Sequence, residues 1–403
     1  MRKALLVCSL LVASNTSWAY QAGKWNFGGF ADQALINTTD NNFYGATDDR
    51  LGSDIHELAV YGRGAISDSL DFSGQILSRD AGATDNDKPN VDFAFFTYTM
   101  FENAEWTDSF RLGRVKRPYA IYADSRSSPF SRPSIIMPQG SYYDRTRNVL
   151  FSYDGLEFHV ERRNELSTYS IHAGLGIARP LKQEIDELLV LKNILLGSLQ
   201  PRDTHHIQFN YDYDSGHFQI VTGFFKLHYN YDPLSPKLIL DNGEFNLLNQ
   251  EGEYYFSAKT LGVEYNTSQW SIVSEVGEAT TLFNGFSPTY SGNPIISRGG
   301  YIQYNYHLNN NVQLYTRYDD THLDETHTFT EGTIFRSVGF QHWATTFYDR
   351  VVGVSWLPTN ALLLRSELHA VKGTGFINAS DTASPKDLRK NWRMLAFEAA
   401  YRF

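Results

Sequence analysis

The chain is poor in cysteine and has no long apolar run, and each absence excludes a class of protein. Its 403 residues include one cysteine, Cys8, so neither a disulfide framework nor a cysteine metal site is expected. Beyond the N-terminal end, no stretch reaches the about 18 consecutive apolar residues of a membrane-spanning helix. The sequence also has no Gly-rich phosphate loop and no Gly-x-Ser-x-Gly nucleophile turn. We therefore expect no catalytic residue, no metal and no cofactor.

The N-terminal residues have the pattern of a secretory signal. Two basic residues precede an apolar run at 4–13, and Ser-Trp-Ala at 17–19 places small residues where signal peptidase recognises them. We predict a signal peptide at 1–19 and one domain at 20–403. The first strand-like pattern starts at 25, a few residues after the predicted cleavage site, so we expect no plug domain of the kind that active-transport receptors carry.

The composition combines many aromatic residues with a hydrophilic average. The chain has 25 Tyr and 27 Phe but only 4 Met, and its mean hydropathy is −0.38. A transmembrane β-barrel needs this combination, because only every second residue faces lipid and aromatic girdles mark both interfaces. A secreted β-sandwich or propeller shares the composition, so the pattern along the chain has to decide.

Apolar and mixed positions alternate with period two in many segments, which predicts strands with two different faces. The segments at 57–66, 301–306 and 312–318 show this alternation. In the C-terminal segment one face carries Leu395, Phe397, Ala399, Tyr401 and Phe403, and the other carries Met394, Ala396, Glu398, Ala400 and Arg402.

Short turns alternate with long loops between these segments, as in transmembrane barrels with short periplasmic turns and long outer loops. The short turns are predicted at 67–70, 102–107, 164–167, 214–216, 266–269, 308–311 and 357–360. The long loops are predicted at 37–53, 80–90, 117–147, 179–203, 230–253, 281–297, 319–345 and 372–391. We therefore predict an all-β fold, an antiparallel transmembrane β-barrel of sixteen strands with an inward-folded third loop. Eighteen strands is the alternative if Asp154-Gly155 forms a hairpin turn.

One segment is strongly basic although the whole chain carries a formal charge of −10. The segment from 111 to 147 contains eight basic residues and two acidic ones, Asp124 and Asp144, so its net charge is +6. The basic residues are Arg111, Arg114, Lys116, Arg117, Arg126, Arg132, Arg145 and Arg147. Four prolines stiffen this stretch. Guanidinium groups in a narrow channel attract anions and exclude cations, so we predict a pore constriction that prefers anions.

Three further arginines, Arg63, Arg317 and Arg365, are predicted to face the lumen from the barrel wall. An alternative remains open, in which the arginines pair with lumen acids and give a weakly selective pore. The candidate acids are Glu57, Glu264, Glu275 and Glu367.

Three motifs in the basic segment carry a family resemblance: RLGRVKRP at 111–118, PFSRPSI at 129–135 and PQGSYYDRTR at 138–147. They resemble the third-loop region of gammaproteobacterial porin-like outer-membrane proteins, and more loosely that of phosphate-selective porins. The resemblance implies a sixteen-stranded barrel in the outer membrane of a Gram-negative bacterium, often a homotrimer. It implies contact with membrane lipid and lipopolysaccharide, and passive conduction of small hydrophilic solutes or anions. It also implies that Phe397, Tyr401 and Phe403 form the barrel-assembly signal.

Other features have simpler readings. An apolar run within 180–199 indicates a short helix packed over the barrel mouth. His205-His206, and His322 with His327, are candidate metal ligands. The second pair lacks the spacing of a zinc-protease helix, and an exposed acidic loop explains it. A barrel enzyme or a loop-based surface receptor is the alternative to a channel. Basic residues are confined to the proposed pore and the strand ends, so we expect no nucleic-acid binding.

Overall fold

The computed structural model describes residues 20–82, 85, 87–142, 144–181, 197–233, 237–239, 246–248, 250–285, 292–325, 342–377 and 387–403. The predicted signal peptide at 1–19, His327 and most of the predicted helix at 180–199 lie outside these residues. No helix within the described ranges is long and apolar enough to cross a membrane.

Nineteen strands make up almost all of the regular structure within these ranges. They are β1 (Tyr20–Ala22), β2 (Trp25–Thr38), β3 (Ile55–Ala65), β4 (Leu70–Ala81), β5 (Asn90–Glu102), β6 (Trp106–Lys116), β7 (Ser152–Arg163), β8 (Ser167–Ile177), β9 (Gly197–Tyr213), β10 (Phe218–Pro233), β11 (Lys237–Ile239), β12 (Asn246–Leu248), β13 (Gly252–Asn266), β14 (Trp270–Asn284), β15 (Ile295–Asn309), β16 (Val312–His322), β17 (Thr346–Thr359), β18 (Leu362–Lys372) and β19 (Asn391–Arg402). Strand β1 pairs with β2, and β11 with β12.

The other sixteen strands, β2–β10 and β13–β19, form one closed antiparallel sheet. Closure joins β19 to β2, with Phe397 opposite Leu35. Phe403 and Gly29 exchange two backbone hydrogen bonds of 2.9 and 3.0 Å. The prediction of sixteen strands is confirmed. The eighteen-strand alternative is wrong, because Asp154 and Gly155 lie inside β7 and pair with β6.

The two faces of the barrel differ as the alternation predicts. In β19, Phe397 exposes 44% of its surface, whereas Met394 and Ala396 expose 1% and 0%. In β3, Leu58 and Val60 are likewise exposed, whereas Glu57 of the same strand is buried on the opposite face. Apolar side chains therefore point outwards, and polar and charged ones point inwards, which is the arrangement of a barrel surrounded by lipid.

Residues 117–151, which we call the lumen segment, fill much of the interior between β6 and β7. The segment contains three turns of 3-10 helix, Ser125–Ser127, Pro129–Ser131 and Asp144–Thr146, and two short helices, α1 (Gln139–Tyr142) and α2 (Arg147–Leu150). Its apolar side chains pack against opposite parts of the wall. Tyr119 and Tyr142 join a buried cluster on β10 and β13–β15, and Ile135 and Ile136 join another on β2, β17 and β19.

Candidate functional site

Glu367 in β18 holds one side of the lumen segment. Its buried carboxylate accepts hydrogen bonds from the backbone N–H groups of Ile135 at 2.7 Å and Ile136 at 3.3 Å. The hydroxyl of Tyr315 donates to the same carboxylate at 2.5 Å. His369 lies 3.0 Å from Glu367. The carboxylate thus satisfies buried backbone donors that would otherwise be costly to leave unpaired.

Glu275 in β14 holds the opposite side in the same way. It accepts hydrogen bonds from the backbone N–H of Ile121 at 3.0 Å and from the hydroxyl of Tyr301 at 2.6 Å. The hydroxyl of Tyr142 donates to it as well. Neither Glu275 nor Glu367 forms an ion pair with an arginine in the described part of the chain. Their partners are backbone amides, tyrosines and a histidine, which sequence reasoning missed.

Glu57 in β3 does pair with arginines, as the alternative to an unpaired arginine ring predicts. It accepts from Arg132 of the lumen segment at 2.6 Å and from Arg79 of β4 at 3.0 Å. Arg79 also contacts Asp85 at 2.8 Å and Asp144 at 2.7 Å. Burial alone would raise the pKa of Asp144, but the surrounding guanidinium groups, with Arg79 foremost, hold it below its usual value. Arg79 was not among the predicted residues, although it shares the inward face of β4 with Gln75 and Leu77.

Two arginines of the lumen segment are buried and contact no carboxylate among the described residues. Arg117 is 0% exposed and donates to the carbonyl oxygens of Val149 and Leu150 at 3.0 and 2.7 Å. Burial lowers the pKa of Arg117 to about 10, which still leaves it charged at neutral pH. Arg126 donates to the carbonyl oxygen of Tyr142 at 2.7 Å. Both cations face aromatic rings, so they stabilise the packing of the segment.

Arg111 and Arg147 pair with acids of neighbouring strands. Arg147 forms two hydrogen bonds with Asp92, at 2.7 and 3.0 Å. Arg111 lies 2.9 Å from Glu157, a carboxylate that also contacts His206 at 3.1 Å. The structure therefore brings these two predicted residues to the lumen side, each with its charge balanced.

Arg114 stands apart from the other predicted residues. It forms a bidentate pair with Asp154 at 2.7 and 2.9 Å. Residues an even number of positions apart in a strand share a face. Arg114 therefore lies on the face of exposed Leu112, and Asp154 lies on the face of exposed Phe158. This pair therefore shares the outward face, opposite Glu157. The side chain of Arg145 lies outside the described residues.

The wall arginines Arg317 and Arg365 contact the lumen segment directly. Arg317 lies 2.6 Å from Asp319 and donates to the hydroxyl of Ser134 at 2.7 Å. Arg365 pairs with Glu398 at 3.2 Å. Arg365 also donates to the carbonyl oxygens of Pro129 and Arg132, at 3.0 and 2.7 Å. Both arginines thus help to fasten the segment to the wall.

A cavity of about 430 Å³ opens on the inner face of β2–β5, next to the first two 3-10 turns of the lumen segment. Its charged lining residues are Arg63, Lys116 and Arg402, and no acidic residue lines it among those described. Lys116 contacts Asp124 at 3.1 Å, and Arg402 stacks over Phe130 at 4.5 Å. Arg63 and Lys116 were predicted from the sequence. Arg402 was not predicted as a site residue, although the alternation in β19 already places it on the face opposite the apolar one.

One group of side chains has metal-ligand geometry. Potential ligand atoms of His56, Asp80 and Asp87 lie within 4.8 Å of one another. In the two histidine pairs considered from the sequence, His206 contacts the carboxylate of Glu157 at 3.1 Å, and His322 lies 2.8 Å from the hydroxyl of Tyr348.

Comparison with known proteins extends these observations. No protein-family profile matches the chain, and no curated protein sequence matches it. Several solved outer-membrane proteins share its fold. OmpT of Vibrio cholerae, folded in vitro, has 12% identity and a TM-score of 0.57 over 96% of this chain and 100% of that one. The trimer form of OmpT has a TM-score of 0.55.

Two other solved structures resemble the chain over almost its whole length. The outer-membrane channel DcaP of Acinetobacter baumannii has 12% identity and a TM-score of 0.51, covering 96% of this chain and 99% of that one. Salmonella typhi OmpF in complex with daunomycin has 12% identity and a TM-score of 0.52, covering 94% of this chain and 97% of that one. The chain therefore has the porin-like, sixteen-stranded barrel fold of Gram-negative outer-membrane channels.

Proposed function

We propose that this chain is an outer-membrane porin, a water-filled channel for passive diffusion of small hydrophilic solutes with a preference for anions. The observation that carries the proposal is the lumen cavity lined by Arg63, Lys116 and Arg402, with no acidic residue among its described lining. A cationic surface inside low-dielectric walls concentrates anions and repels cations. The porin-like fold supports the channel itself.

The remaining arginines have a different part in this proposal. Arg79, Arg132 and Arg147 contact carboxylates, so much of their charge is balanced close by. Arg117 and Arg126 are buried at 0% and 1% exposure, which keeps permeating ions away from them. These arginines hold the lumen segment in shape, and the anion preference comes from the three cations of the cavity.

Bilayer recordings test both parts of the proposal. The purified protein should conduct, and its reversal potential in a KCl gradient should have the sign of chloride preference. Replacing Arg63, Lys116 and Arg402 together by Gln should lower the chloride-to-potassium permeability ratio about two- to tenfold, since it removes the local positive potential. The absence of any current would reject the channel. A cation-selective wild type would reject the anion preference.

A matched variant controls for total charge. Replacing Lys24, Arg162 and Lys259 by Gln also removes three exposed cations, none of which lines the cavity. Its reversal potential should remain that of the wild type. An equal shift in both variants would show that net charge, rather than the cavity, sets the selectivity.

The proposal includes a homotrimer in the outer membrane, without enzymatic activity. The resemblance to porins and the trimer form of OmpT support this assembly. Cross-linking in mild detergent should give a trimer band, and membrane fractionation should recover the protein in the outer membrane. A single monomer band at every cross-linker concentration would contradict the trimer without affecting the channel.

A further inference from the structure

A second pocket, of about 810 Å³, lies on the outside of the barrel at the long-loop ends of β16–β19. Three cations line it: Arg350 in β17, Lys372 in β18 and Arg393 in β19. All three point outwards. Each shares its face of the strand with an exposed apolar residue an even number of positions away. These residues are Val352 for Arg350, Leu368 for Lys372 and Leu395 for Arg393.

The strand register explains how these cations share one pocket. Arg350 and Arg393 both lie opposite Ala370, on either side of β18. The small side chain of Ala370 leaves the space between the two guanidinium groups open. One step further along, Lys372 lies opposite Tyr348 and stacks over its ring at 5.4 Å.

The three cations differ from the paired cations elsewhere on the same outward face. None of them forms an ion pair within the described ranges, whereas Lys259 and Arg298, which also point outwards, both contact Glu278 at 2.8 and 2.9 Å. Asp40 is the acidic residue that lines the pocket, and it accepts a hydrogen bond from Thr39. The pocket therefore keeps a net positive charge.

The surroundings of the pocket indicate a ligand that is part charged and part apolar. Exposed Val352, Leu368 and Leu395 lie next to it, on the side of the short turns. Tyr318 and Tyr348 line the pocket itself, and tyrosines of this kind mark the interface between membrane and water. Guanidinium groups bind phosphate with paired hydrogen bonds, and acyl chains would continue along the apolar surface.

We propose that Arg350, Lys372 and Arg393 form a binding site for the phosphate of an acylated, phosphorylated glycolipid of the outer leaflet, the lipid A part of lipopolysaccharide. The site is independent of conduction, because its residues lie on the opposite side of the wall from the lumen. It attaches one particular face of the barrel to an ordered lipid.

Native mass spectrometry of the full refolded protein in detergent tests the site. The probes are bisphosphorylated lipid A, the same lipid A after removal of its phosphates, and inorganic phosphate. The wild type should bind the bisphosphorylated form. The Arg350→Gln/Arg393→Gln variant should lose at least about tenfold in apparent affinity for it. The matched Lys259→Gln/Arg298→Gln variant, which removes two paired cations, should bind like the wild type.

Each outcome decides the proposal. Equal binding of bisphosphorylated lipid A by the wild type and by Arg350→Gln/Arg393→Gln would overturn it. Equal binding of the dephosphorylated lipid A by the wild type would show an apolar contact only, and displacement by millimolar inorganic phosphate would show a free-phosphate site. A change of subunit number with unchanged lipid binding would assign this face to contact between copies of the chain. Conductance like that of the wild type would show that the variants are folded.

Discussion

Glu367 in β18 accepts a hydrogen bond from the backbone N–H of Ile135 at 2.7 Å, although 232 residues separate the two in sequence. The contact joins the barrel wall to the lumen segment. Together with Glu275 on the far side, it gives the segment two fixed points.

Replacement of Glu367 by Ala should loosen the lumen segment. The change leaves the amides of Ile135 and Ile136 and the ring of His369 without their acceptor. An unsatisfied buried donor costs about 1–3 kcal/mol, so trypsin should cleave within 117–151 about tenfold faster. Glu264→Ala is the control, because Glu264 forms no ion pair within the described residues. Identical cleavage rates for both variants would show that Glu367 does not hold the segment.

Replacement of Arg132 by Ala should shift the reversal potential toward cations. Arg132 contacts Glu57 at 2.6 Å, and its removal leaves that carboxylate with Arg79 alone. The local charge becomes more negative, which attracts cations. The Arg132→Ala/Glu57→Gln variant should return the potential toward that of the wild type. If the double variant is as shifted as the single one, the pairing with Glu57 is not the cause.

Two bidentate Arg–Asp pairs should differ strongly in their contribution to stability. In the Arg147–Asp92 pair the side chains are only 2% and 4% exposed, whereas in Arg114–Asp154 they are 25% and 46% exposed. Asp92→Ala should lower the free energy of unfolding by about 3–5 kcal/mol, because it leaves a buried cation unpaired. Asp154→Ala should cost less than about 1 kcal/mol, because Arg114 lies at the long-loop end of β6, where its long side chain reaches the aqueous interface. Urea unfolding in lipid vesicles, followed by tryptophan fluorescence, measures both, and equal costs would contradict the role of burial.

Closure of the barrel should depend on Gly29. A Cβ atom at this position would lie 2.5 Å from the carbonyl oxygen of Ala59 and 2.5 Å from the ring of Phe403. Gly29→Ala should therefore reduce the folded, heat-modifiable fraction in the membrane, and deletion of Phe403 should do the same. Gly277→Ala is the control, since its nearest atom would be the carbonyl oxygen of Lys259 at 3.3 Å. Normal yields for Gly29→Ala would show that the contact with Phe403 is dispensable.

Local pattern was sufficient for the barrel itself. Side chains of a strand alternate between its two faces, so the apolar positions of β19 already define its lipid side, and the seven short turns define the strand count. The lumen segment was located by composition, because its excess of arginine and proline contrasts with the acidic chain. These properties depend on neighbouring residues and can be read along the sequence.

The partners of the charged residues depend on the tertiary structure alone. Glu57, Glu275 and Glu367 are equivalent in sequence pattern. In the part of the chain that the structure describes, Glu57 contacts arginines, whereas the other two accept hydrogen bonds from backbone amides. Closure of the sheet brings together residues more than a hundred positions apart, and the fit between segment and wall decides which donor reaches each carboxylate. The same closure places Arg402 beside Arg63 and Lys116, so the sequence determined the faces of the barrel and the tertiary structure decided which cations meet in the lumen.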